Sequence, residues 1–157
     1  MSKALPAAVL DSSALLCVLN GEPAAPLFLE SFKKTDRLFI CAATRAESWL
    51  AAFSARGEAG AKHLEELLLL LGVETVPFSD SSLPHFHQGA RQHHHKVDDK
   101  ARLNMGDLFS YALAMKSGLP LFFQGTDFKN TKVQNAMRKL GYEMSAKGVP
   151  LEPGIQR

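Results

Sequence analysis

Four acidic residues, Asp11, Glu47, Asp107 and Asp127, stand where apolar segments meet helix starts or turns. Asp11 ends a short apolar run and precedes "SSALLCVLNG". Glu47 lies three residues after Thr44, Asp107 three after Asn104, and Asp127 follows the apolar "LPLFFQ". Taken singly, each has a structural account. An aspartate at a strand-to-helix junction caps free amides, Thr44/Glu47 and Asn104/Asp107 have capping-box spacing, and aspartate is common in turns. Taken together they describe something else. In a parallel α/β sheet the strand ends and the helix starts that follow them lie along one edge, where such folds bind ligands. Carboxylates gathered there repel one another unless protons or cations intervene. Oxygen-only donors suit a hard cation such as Mg²⁺ or Mn²⁺. Such a centre suits phosphoryl chemistry, because the ion lowers the pKa of water and stabilises charge on phosphate oxygens.

The elements that must hold these residues alternate between strand and helix. Residues 7–10 read as a buried strand, followed by a serine-capped helix stopped by Gly21. Residues 23–34 form a second helix and 37–41 a second strand. Thr44 opens the helix "RAESWLAAFSAR"; residues 60–71 form another, with Leu64, Leu67, Leu68 and Leu71 on one face and Gly72 as its stop. "VETVPF" reads as a third strand. A polar helix and an irregular loop follow Ser79, then a helix from Asn104 to Ser117 ended by Gly118, the strand "LPLFFQ", and a last helix over 130–140. This order predicts an α/β fold with a central, mostly parallel sheet flanked by helices. No repeat or linker divides it. The reading is one domain over residues 1–145 with a tail at 146–157.

Bulk properties narrow the classes. A chain of 157 residues, 46% hydrophobic and 22% charged, can bury one real core. Its net charge of +2 neither demands nor excludes nucleic acid. Cys17 and Cys41 are too few for a disulfide scaffold and lack zinc-ligand spacing. The segment ending at Cys17 superficially resembles a lipoprotein signal, but Asp11 interrupts its apolar run and Leu16 is too large beside a cleavage site. These points predict a cytoplasmic protein that does not enter the membrane.

The segments "VLDSSALLCVLNGEP", "CAATRAESWL", "VETVPF", "ARLNMGDLFSYALAMKSGLPLFFQGTDF" and "NTKV" together resemble the PIN-domain ribonucleases of the VapC toxin type, in order, from about Ala8 to Leu140. The resemblance implies a Mg²⁺-dependent endoribonuclease toxin, with Mn²⁺ as a substitute, acting on RNA and neutralised by a cognate VapB-like antitoxin. It implies Asp11 and Asp107 as metal ligands, Glu47 and Asp127 as further acids acting directly or through water, and Ser13 as a supporting hydroxyl. Two departures stand out. Ser12 replaces a common threonine and keeps its hydroxyl, and Lys132 stands where the family often has a further acid, which makes the rim more favourable to phosphate.

Other features have plainer readings. His93, His94 and His95 are consecutive, with His85 and His87 nearby, but consecutive residues diverge on a helix and no zinc-binding spacing accompanies them. Lys96, Lys100, Arg102 and Lys132 are candidate RNA-backbone contacts. Phe53 at i+4 from Trp49 predicts packing between the two rings. The leucine-rich faces exceed what a small core buries, which a homodimer or a wrapped partner would absorb. Two rival functions are a non-catalytic partner-binding module, in which the acids are only caps, and a phosphatase using Asp11 as nucleophile. The latter lacks the second aspartate two positions on that such enzymes use.

Overall fold

Successive residues of the first strand enter different cores: Ala8 and Leu10 pack on one face of a sheet, Val9 on the other, and all three are fully buried. In the computed structural model, which describes residues 3–94 and 102–154, this strand is β1 (Leu5–Leu10) at the centre of a four-stranded sheet. Its partners are β2 (Thr35–Cys41), β3 (Glu74–Val76) and β4 (Leu121–Phe122), in the order β3-β2-β1-β4, and every pairing is parallel. A strand buried on both faces reads as a continuous apolar run, as β1 does.

Helices cover both faces. On one side lie α1 (Ser12–Leu19), α2 (Ala25–Lys33) and parts of α3 (Ala42–Leu70), whose Leu15, Phe28, Phe32, Leu64 and Leu68 meet Leu10, Ile40 and Phe122. On the other side, α4 (Leu83–His93) follows a short 3-10 turn (Asp80–Ser82) and packs beside α5 (Met105–Ser117), whose Leu108 and Tyr111 meet Val9 and Leu121. The short α6 (Ala136–Lys139) adds Ala136 and Met137 to the first core. Residues 143–151 then form a hairpin, with Met144 bridged to Pro150 and Tyr142, Met144 and Val149 packed on that core.

The sheet's pairings explain where the elements differ from the sequence reading. "LPLFFQ" and "VETVPF" each shrink to the residues facing β1 or β2, because those strands end at Leu10 and Cys41 and turn into helices. The predicted helix over 130–140 is reduced to α6. Upstream of it, the Leu121 amide donates to the Gln134 carbonyl (2.8 Å) and Leu121 bridges Asn135, so the chain there lies alongside β4 and cannot coil. Thr44 does not open α3, which starts at Ala42 after Cys41 with no side-chain cap.

The helix α3 reverses at Gly57 (φ 63°, ψ −150°), so its two halves lie against each other. Arg45 near its start reaches Glu65 on the returning half and donates to Thr75 of β3 (2.7 Å). Trp49 and Phe53 stack with centroids 5.0 Å apart, as their spacing predicts. Leu69 and Leu70 remain 83% and 77% exposed, a surface a single core does not cover. No described helix is long and apolar enough to cross a membrane.

Only glycine adopts the Gly57 backbone without strain. Gly57→Ala is expected to lower unfolding stability by on the order of 1–3 kcal/mol in urea denaturation, with little change in secondary-structure content by circular dichroism.

Candidate active site

The strand order reverses direction around β1: the chain moves outward through β2 and β3, then returns to place β4 on β1's other side. The carboxyl end of that junction is where parallel sheets open a crevice. Asp11 leaves β1 there, and its amide donates to the Phe122 carbonyl of β4 (3.0 Å).

Asp11 is 2% exposed, and a buried carboxylate needs donors. It has them from two helices. Oδ2 accepts from the Ser13 amide (3.0 Å) and the Ser13 hydroxyl (2.6 Å) at the start of α1; Oδ1 accepts from the Ser110 hydroxyl of α5 (2.6 Å). The Ser13 hydroxyl in turn accepts from the Gln124 amide just after β4 (3.0 Å). Ser110 also meets the buried Thr44 hydroxyl of α3 at 3.2 Å. Thr44 therefore supports Asp11 through Ser110 rather than capping its own helix.

Glu47 projects from the first turns of α3 into the same region. Its Oε1 accepts from the Ser12 hydroxyl (2.8 Å), and its Oε2 lies so close to Gly106 that a Cβ there would stand 1.9 Å away. The glycine before Asp107 thus admits Glu47 to the cluster. Asp107 is the third residue of α5 and completes a reciprocal capping box: Asn104 Oδ1 accepts from the Asp107 amide (3.0 Å) and Asp107 Oδ2 from the Asn104 amide (3.1 Å). Asp127 sits in the turn after β4 and is more open.

The electrostatics tie the acids into one cluster. Burial pushes the Asp107 carboxyl up to about 7; the Asn104 amide opposes this, while Asp11, Asp127 and Glu47 add to it. Asp127 is also raised, first by partial burial and then by Asp11, with Arg102 acting in the opposite sense. All four predicted acids meet here, and Ser13 joins them as predicted. Arg102 is exposed at the rim beside Asp127, and Lys132 is exposed. Lys96 and Lys100, with His95, lie outside the described residues. His93 packs its ring on Tyr111 (centroids 5.7 Å). Ser110, Thr44 and Gly106 were missed, although a serine within the apolar "DLFSYALA" was a visible signal.

Among the described residues no three His, Cys, Asp or Glu side chains stand already arranged as metal ligands. Asp11, Glu47 and Asp107 instead direct oxygens to Ser13, Ser110, Ser12 and Asn104. The donor chemistry nevertheless fits a hard divalent cation: the donors are carboxylate oxygens whose mutual repulsion, expressed at Asp107, a cation relieves.

A model of the PIN domain matches residues 8–134, a span that holds all four acids. A VapC ribonuclease of Mycobacterium bovis is 33% identical over 125 residues, covering 80% of this chain and 95% of that protein. A ribonuclease VapC of Mycolicibacterium smegmatis is 34% identical over 125 residues, covering 80% and 96%. Solved structures share the fold at lower identity. They include VapBC2 of Rickettsia felis bound to a promoter DNA fragment (TM-score 0.65, 16% identical, 82% and 96% covered). Another is the sarcin-ricin-loop-cleaving toxin VapC20 of Mycobacterium tuberculosis (TM-score 0.65, 15% identical, 80% and 95% covered).

Two expectations follow from the geometry. Asp107 holds its proton to about 7 when folded but ionises near 3.8 when unfolded. Its contribution to the metal-free protein is therefore full below about pH 4 and is lost as pH rises towards 7. Urea denaturation in EDTA should show stability falling across that window, and Asp107→Asn should flatten the fall. Ser110→Ala leaves Asp11 Oδ1 without its α5 donor and should cost roughly 1.5–3 kcal/mol in the same assay at pH 7.

Proposed function

Because the chain belongs to the PIN-domain family, we propose that it is a divalent-metal-dependent endoribonuclease toxin of a VapBC-type pair, cutting RNA phosphodiesters and neutralised by a VapB-like antitoxin. The observation that carries this reading is the placing of Asp11, Glu47 and Asp107 at the sheet's crevice, each held there by hydroxyl or amide donors, with Asp127 in the adjoining turn.

In this reading Asp11 and Asp107 hold the cation, Mg²⁺ or Mn²⁺, and Glu47 and Asp127 contribute directly or through water. When bound, the cation supplies Lewis acidity that makes water a nucleophile near neutral pH and neutralises charge growing on the phosphate. The chain's own residues prepare the centre. Ser13 and Ser110 hold the Asp11 carboxyl group fixed in direction. Ser12 orients Glu47, and the Asn104 box fixes Asp107 at the entry of α5. Arg102 at the rim attracts the RNA backbone and lies beside Asp127, so it also restrains that acid's repulsion.

An antitoxin that lays an arginine on these carboxylates would block the crevice, because a guanidinium matches their geometry. The exposed Leu50, Leu69 and Leu70 offer it, or a second copy, apolar area. Capping does not compete with this reading. Asp11 and Asp107 do cap helices, yet the four acids have no structural need to stand together.

The test is cleavage of a structured RNA pool by purified, antitoxin-free protein in Mg²⁺ or Mn²⁺. Cuts should appear with either ion, vanish in EDTA, and fall to background in Asp107→Asn and Asp11→Asn. Full cleavage in EDTA or by these variants overturns the proposal.

A further inference from the structure

Against the Asp127 turn, lined by Thr126 and Phe128 on either side of that residue, lies a cavity of about 400 Å³. That size falls within the range of small-ligand sites. Phe123 and Phe128, 6% and 3% exposed with ring centroids 5.0 Å apart, brace the cavity from the core side and present no open ring face. Its rim carries Lys129 and Arg138, both exposed. No described Asp or Glu lines it, and neither cation forms an ion pair with a described carboxylate. Two exposed cations on one rim, with no described carboxylate to answer them, suit a ligand bearing an anionic group such as a phosphate.

Position identifies the source of that ligand. Thr126 and Phe128 line the cavity while Asp127, the residue between them, belongs to the acid cluster. The two sites thus share a turn. The remaining wall comes from the C-terminal hairpin, held by the Gly125 amide donating to the Gly148 carbonyl (2.9 Å). Arg138 and this hairpin lie beyond the family match, which ends at residue 134.

We propose that this cavity is the subsite for an RNA phosphate flanking the scissile one, with Lys129 and Arg138 holding it. The proposal rests on the ribonuclease reading above. Cation–phosphate contacts at a flanking position strengthen binding in ground and transition states alike, so they govern KM more than kcat.

The test uses two altered chains. Lys129→Ala with Arg138→Ala removes the charges, and Ala146→Trp fills the cavity without touching them. Affinity for a fluorescein-labelled single-stranded RNA is measured by anisotropy across a salt series in an Asp107→Asn background, and cleavage kinetics are measured in otherwise unaltered chains. Thermal melting checks folding. Both changes should weaken RNA binding by about tenfold and raise KM more than they lower kcat, and the double change, which removes one phosphate contact, should flatten the log–log salt slope by about 0.7. If the unaltered protein cleaves RNA while both altered chains keep its affinity and KM, the subsite is refuted and the ribonuclease reading survives. Absence of RNA binding by the Asp107→Asn parent also refutes the subsite. Cavity-dependent RNA binding without any cleavage removes the ribonuclease reading and keeps the cavity as an RNA site.

Discussion

The burial of one carboxylate organises this structure. Asp11 is almost wholly removed from water, and an ion in that position must be compensated by hydrogen bonds or lose its charge. The donors come from Ser13 on α1 and Ser110 on α5, and each donor is tied elsewhere: Ser13 to the backbone after β4, Ser110 to Thr44 on α3. Satisfying Asp11 therefore fixes the central strand, the edge strand beside it and three helices relative to one another. Breaking any member leaves a polar group in a dry place, which is costlier than the bond itself is stabilising.

The other acids work against the fold. Glu47, Asp107 and Asp127 add negative charge around Asp11, and Asp107, raised to about 7 chiefly by its burial, is raised further by Asp11, Asp127 and Glu47. A domain selected only for stability would place neutral caps at these positions, since asparagine or serine caps a helix as well as aspartate. Asp107 shows how the conflict is accommodated. Its capping box with Asn104 recovers some stabilisation from a residue whose neighbours repel it. Gly106 belongs to the same arrangement, because any side chain there would expel Glu47 and ease the repulsion. Local rules bent at one place, and compensated around it, mark a functional site.

Much of this was legible in the sequence because it rests on local chemistry. Asp11 announces itself by its position before a helix and Asp107 by its place in a helix's first turn, and the Asn104–Asp107 box is readable from spacing alone. The parallel α/β architecture follows from the alternation of apolar runs with helix-period segments. What the sequence concealed depends on partners far along the chain. Thr44 and Glu47 have capping spacing, yet helix α3 begins two residues earlier, so Thr44 turns inward to Ser110, 66 positions away. The lengths of β3 and β4 are set by where β1 and β2 end, and the start of α6 by the pairing of residues 134–135 with Leu121. Periodicity within a segment carries none of that information.

A cluster of carboxylates faces a difficulty if its substrate is a polyanion. The acids that favour a cation repel each phosphate that approaches, and the repulsion is strongest before the ion is in place. Cations must therefore flank the acids without neutralising them. The net charge of +2 conceals such an arrangement, because what matters is position. Arg102 stands near enough to Asp127 to lower its proton affinity, whereas Lys129 and Arg138 stand across the same turn with no described carboxylate to occupy them. The Asp127 turn thus separates two kinds of surface, one that concentrates negative charge for a metal and one that offers positive charge to a phosphate backbone. A strand crossing it would gain attraction at one phosphate while its neighbour entered the acid crevice, which is the electrostatic condition for bringing RNA to a centre that by itself repels it.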